Sequence, residues 1–93
     1  MNKIIRKIIA TLGLHNPGES YKVKVSDIII PAEFKECPPK FKKMAYKREY
    51  FRRNNRFESR IVLNRDFLLI DGYTSYLLVK ENGMKHVEVY FVD

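Results

Sequence analysis

The chain has 93 residues, 45% of them hydrophobic, which is enough for one modest core and too little for a second independent module. Lys and Arg number 18 against 11 Asp and Glu, a formal charge of +7, which suits a polyanion such as nucleic acid or an anionic membrane surface, and equally a basic surface with no partner. Cys37 is the one cysteine, so an internal disulfide and a multi-cysteine metal site are excluded and a cytoplasmic setting is expected.

The first predicted element is a basic amphipathic helix over residues 1–15. Ile4, Ile5, Ile8, Ile9 and Leu12 recur at helical spacing with Lys3, Arg6 and Lys7 between them, unlike the unbroken apolar run of a signal peptide or membrane span. Such a helix packs on its own domain, on a second copy to give a homo-oligomer, or on a membrane surface or partner. His15-Asn16-Pro17-Gly18 ends it, and the body of the domain covers residues 20–93.

Tyr21 to Val25 alternates apolar and basic residues before Ile28-Ile29-Ile30, the period-two pattern of a half-buried strand, and Pro31 ends it. Pro38-Pro39 makes a rigid connector, and the next helix runs from about Lys40 to Asn54 or Asn55. At about 100° per residue, Phe41, Met44, Ala45 and Phe51 share an arc of roughly 120°, the expected core stripe. Lys42, Lys43, Tyr46, Lys47, Tyr50 and Arg53 fall on the opposite arc. Basic residues interleaved with aromatics suit phosphate contacts combined with base stacking, although any helix covering a sheet needs a charged outer face. Arg48 and Arg52 lie at angles inside the apolar arc, so each either snorkels or points into a pocket beside the sheet, Arg48 being the better candidate for the pocket.

Ile61 to Leu63 and Phe67 to Ile70 flank Asn64-Arg65-Asp66, which fits a tight hairpin of central strands. Gly72 to Asn82 is helical, Asn82-Gly83 stops it, and His86 to Val92 is a last strand. At the strand-to-helix break, Asp71 is placed as an N-cap and Gly72 allows a sharp turn. The amides of Tyr73, Thr74 and Ser75, with two hydroxyls, form a candidate cradle for one phosphate or carboxylate, for which Asp71 competes.

The run IVLNRDFLLIDGYTSYLLVKENGMKHVEVYFV, preceded by a strand ending in IIIP and a Lys-led helix, resembles the ParB/sulfiredoxin-like superfamily (ParB N-terminal-like nuclease domain) over about Tyr21 to Val92. The resemblance implies an α/β (α+β) fold, a small mixed sheet covered by helices, with residues 1–15 as an added helix. It also implies that Gly72 is the family glycine, Tyr73 and Thr74 fall on variable or basic positions, and Ser75 stands where an arginine grips nucleotide phosphates. Ser75 and the cysteine-for-Tyr73 difference from sulfiredoxin depart from the pattern, and no arginine lies between Asp66 and Asp93. A hydroxyl does not replace a bidentate, permanently charged guanidinium.

Other chemistry is sparse. His15 and His86 are isolated, and Cys37, a lone thiol beside Glu33 and Glu36, makes a poor nucleophile. No Ser-His-Asp order, zinc-ligand spacing or Walker-type loop is present, so no catalytic residue, metal or cofactor is assigned. The expected function is a non-enzymatic nucleic-acid-binding module of a bacterial, phage or mobile-element system acting through the basic helix. The alternatives are a nucleotide-dependent enzyme or nuclease at Asp71–Ser75, with Arg48 reaching that turn, and a self-association domain.

Overall fold

The computed structural model describes residues 19–92. The predicted helix over residues 1–15, with its Ile4, Ile5, Ile8, Ile9 and Leu12 stripe, lies outside them. The elements are β1 (Tyr21–Lys24), α1 (Ala32–Glu36), α2 (Phe41–Asn54), β2 (Val62–Leu63), β3 (Leu69–Asp71), α3 (Tyr73–Glu81) and β4 (His86–Phe91). The strands form one mixed sheet in the order β1-β4-β2-β3. β1–β4 and β2–β3 are antiparallel, and β2–β4 is parallel.

The predicted strand over Tyr21 to Ile30 is divided in two. Val23, Val25 and Asp27 are buried while Lys22, Lys24 and Ser26 are exposed, so the alternation holds, yet the backbone leaves the sheet at Val25 in a single 3-10 turn over Val25–Asp27. Period two reports which side a residue faces and does not guarantee a ladder partner. Past the turn, Ile29 rejoins the far edge of the sheet, its amide donating to the Phe67 carbonyl (2.8 Å) and its carbonyl accepting from Leu69 N (2.9 Å). β2 is therefore internal, whereas β3 pairs with β2 on one side and has only this bridge on its outer side, and the expectation of two central strands holds for β2 alone.

The hairpin is set by Asn64. Its side-chain oxygen accepts from the amides of Asp66 (2.9 Å) and Leu68 (3.0 Å), an Asx turn that needs no glycine. Phe67 takes a positive φ of 64° and is fully buried, so core burial holds a bulky residue in a backbone region it ordinarily avoids.

β4 turns Val87, Val89 and Phe91 inward and His86, Glu88 and Tyr90 outward. The inward set packs with Val23, Leu63, Phe67 and Leu69 in one core. Thr74, Ser75, Leu78 and Val79, at one-face spacing, are the buried residues of α3. α3 closes with Gly83 at φ 66°. Gly83 N donates to the Lys80 carbonyl (3.1 Å) and Met84 N to the Val79 carbonyl (3.1 Å), the paired bonds of a Schellman ending that reverses the chain into β4.

α2 spans the predicted range, but its orientation differs from the expected one. No residue of it is buried, and Phe41, assigned to the core stripe, is 84% exposed. Met44, Lys47, Tyr50 and Phe51 are the half-buried positions of the inward side, so the helix is rotated by about 100°, one residue step, from the face that apolar spacing picked out. α1, absent from the sequence reading, is one short turn whose Phe34 packs 5.2 Å from the Tyr73 ring.

Candidate nucleic-acid interface

The break between β3 and α3 was the first candidate. The helix N-cap is Gly72, at φ 89°, and no side chain caps it. Asp71 does not cap α3 as predicted: its carboxylate accepts from the next amide, Gly72 N, at 2.8 Å. A Cβ on residue 72 would lie 2.2 Å from the Arg60 carbonyl oxygen and 2.8 Å from Ile61 Cα, so the glycine is required by close packing of the turn on the chain's own backbone as well as by its φ.

Behind the glycine the polar groups are already engaged. Ser75 is 2% exposed and its hydroxyl donates to the Ser59 carbonyl at 2.6 Å. Thr74 is buried. Tyr73 lies between Phe34 and Tyr76, stacked on the latter at 6.2 Å. The turn is thus tied to the segment before β2 by Gly72 and Ser75. Arg48 does not reach it. Its guanidinium forms a two-pronged pair with Glu81, at 2.8 and 2.9 Å, and Glu81 ends α3, a full helix length from Gly72. The hydrogen bond and charge of Arg48 hold the Glu81 carboxyl below its ordinary range.

The basic face of α2 divides into two groups. Lys47 turns inward, with a side chain only 12% exposed, and pairs with Glu58 while donating to Ser59 Oγ at 2.7 Å. Hydrogen bonds from Lys47 and Ser59 lower the Glu58 pKa, with a smaller contribution from Lys43. Arg53 pairs with Glu49 at 2.9 Å, and Arg52 pairs with the same carboxylate; their hydrogen bonds, Arg52 first, hold Glu49 down to about 2. Lys42, Lys43 and Tyr46 remain outward, Tyr46 60% exposed, and Tyr46 lies 6.4 Å from the Tyr50 ring. The six residues proposed from sequence therefore do not form one free face.

A second basic and aromatic surface lies at the far end of the same helix. The outward face of β1 and β4 and the segment after α2 enclose an open cleft of about 690 Å³. Lys22, Arg56, Arg60 and His86 line it with the rings of Phe57 and Tyr90. Arg60 lies over the Tyr90 ring, 4.5 Å from its centroid, and Phe57 stacks on Phe51 at 4.6 Å with an interplanar angle of 9°. Arg56 donates to the Tyr50 hydroxyl at 3.4 Å, joining the cleft to the helix face. Glu88, a carboxylate lining the cleft, accepts from Ser20 Oγ at 3.3 Å and faces Lys22 across the strands.

The fold of the described residues is similar to that of two solved structures. One, the C2221 form of a pNOB8-like ParB-N domain, superposes with a TM-score of 0.66 at 24% identity, and the other, a pNOB8-like ParB N-domain, with 0.62 at 27%. Each match covers 81% of this chain. This chain has a ParB N-domain-like fold. It spans 30% and 28% of those two chains. No protein-family model matches it, and neither does any curated protein.

Within the ParB N-domain-like fold, the departure at Ser75 acquires a structural meaning. A buried hydroxyl bonded to Ser59 occupies the position that the sequence resemblance gave to a phosphate-gripping arginine. Among the described residues no three His, Cys, Asp or Glu side chains come together to hold a metal ion, and no helix is long and apolar enough to cross a membrane. The cleft residues escaped the sequence reading because they come from three separate segments. The local signal was the run Arg56-Phe57 followed by Arg60, basic and aromatic residues just past a helix end.

Proposed function

We propose that this ParB N-domain-like chain is a non-enzymatic nucleic-acid-binding module of a bacterial, phage or mobile-element system, with Lys42, Lys43 and Tyr46 on α2 as its backbone contacts. The observation that carries the reading is the outward placement of these three side chains in a chain of formal charge +7. Compact ammonium groups on exposed stems suit phosphate, and binding of this kind is driven by counterion release. Tyr50 and Arg53 lie beside them, while Lys47 serves mainly to hold the helix.

The test is titration of labelled single- and double-stranded DNA and RNA at two salt concentrations. Binding is expected at low salt and should weaken steeply as salt rises. The double variant Lys42→Glu/Lys43→Glu should weaken it across all sequences and reduce the salt slope by about 2, one per phosphate-contacting lysine. Absence of binding at low salt, or an unchanged affinity in the double variant, overturns the reading. A second reading, self-association through Ile4, Ile5, Ile8, Ile9 and Leu12, rests on their apolar spacing. An oligomeric state, measured as mass in solution, that does not change when residues 1–15 are removed counts against it.

A further inference from the structure

We infer that the cleft between the outward face of β1–β4 and the segment after α2 accepts an unpaired base of a single strand together with an adjoining phosphate. The inference rests on the nucleic-acid reading above and adds to it a site and a strand preference. Three features support it. The first is charge: Lys22, Arg56 and Arg60 line the cleft and outweigh the Glu88 carboxylate, which is already engaged by Ser20. These cations also offset the negative end of the α2 dipole, which closes at Asn55 on the cleft wall.

The second feature is the supply of flat surfaces. The rings of Phe57 and Tyr90 both line the cleft, and the Arg60 guanidinium already lies over Tyr90, 4.5 Å from its centroid. Aromatic rings and planar guanidinium groups are the surfaces on which unpaired bases stack, and stacking tolerates any base because every base has a π-face. The third is shape. At about 690 Å³ the space falls within the range of small-molecule sites. It is concave, and a base inside a duplex has both faces covered by its neighbours, so only a splayed base can enter.

The cleft also continues from the helix face. Tyr46 neighbours Tyr50, the Tyr50 hydroxyl accepts from Arg56, and Arg56 shares the cleft with Arg60. A backbone running along α2 from Lys42 and Lys43 is thereby led to the cleft. A duplex can use the helix face alone, whereas a single strand uses both.

Fluorescence anisotropy on the full chain tests this with a short labelled single strand, the same strand in duplex, and a free nucleoside monophosphate. The single strand is expected to bind about tenfold tighter than the duplex, from one stacked base. Arg60→Ala and, separately, the exposed Arg56→Glu should each remove most of that preference while duplex affinity changes little. Arg56→Glu covers the case in which loss of the Tyr90 contact perturbs folding, and circular dichroism melting identifies that case.

Equal affinity for single strand and duplex, or a preference retained in both variants, overturns the cleft assignment and leaves the α2 interface standing. A monophosphate that binds as tightly as the strand overturns it in favour of a free-nucleotide site. No binding by either polymer at low salt overturns both readings.

Discussion

Gly72 and Ser75, three positions apart at the head of α3, are both engaged by the chain itself. With φ at 89° and the Arg60 carbonyl 2.2 Å from where a Cβ would stand, Gly72→Ala is expected to cost at least about 2 kcal/mol in denaturant unfolding, from backbone strain and a displaced strand. Ser75→Ala strands the Ser59 carbonyl that its hydroxyl now serves and should cost about 1–3 kcal/mol. Ser75→Arg, which restores the residue implied by the resemblance, places a long cation in a site 2% exposed. It should destabilise the fold by overpacking rather than confer nucleotide binding. A thermal-shift screen of nucleoside triphosphates with magnesium is expected to show no stabilisation of the unsubstituted chain, whereas a ligand at 100 times its dissociation constant at that turn would add about 2.7 kcal/mol.

At the same scale, Glu49 supplies a pH prediction. Its folded pKa, about 2 against an ordinary 4.5, is depressed by hydrogen bonds from Arg52 and then Arg53. A depressed carboxylate contributes stability that is present above its ordinary pKa and is lost as the pH falls through the folded value, here between about 4.5 and about 2. The pair is solvent-exposed, so the contribution is small and falls with salt. An NMR titration should place Glu49 well below the ordinary 4.5 at low salt, with its pKa rising as salt is added.

Among the elements, α2 is held differently from α3. α3 buries four residues in the core, whereas the 14 residues of α2 bury none. What holds α2 is polar and peripheral: Lys47 with Glu58 and Ser59, Arg48 with Glu81, and Phe51 stacked on Phe57. Few buried apolar contacts imply low local stability, so amide hydrogen exchange in α2 should be faster than in α3 and β4 and should accelerate with salt. Phe57→Ala, which removes half of the stacked pair, should cost about 1–3 kcal/mol and raise exchange at the C-terminal end of α2 first. A helix anchored in this way keeps its outer residues, Lys42, Lys43 and Tyr46, free of packing duty.

For the whole molecule, local pattern and three-dimensional arrangement decided different things. The side each strand residue faces, the extent of α2, the Asn64 turn and the Gly83 ending are short-range matters of φ, hydrogen-bond donors and alternation, and each was legible in residues a few positions apart. The small mixed sheet was implied by the resemblance that the motif run carries, whereas its order β1-β4-β2-β3 came only with the tertiary structure. The rotation of α2 was not legible, because its helical spacing offered Phe41, Met44, Ala45 and Phe51 as a stripe while the partners that settle the question, Glu58, Ser59, Glu81 and Phe57, lie in other segments. The same holds for Arg48, whose periodicity allowed a pocket and whose actual partner is Glu81 at the far end of α3. The cleft is the extreme case: Lys22, Arg56 and Tyr90 are far apart along the chain and meet only because β1 pairs with β4 beneath the end of α2. Covalent neighbours and periodicity carry backbone conformation, but a site whose energy comes from charges and rings converging through space exists only once the sheet has brought them together.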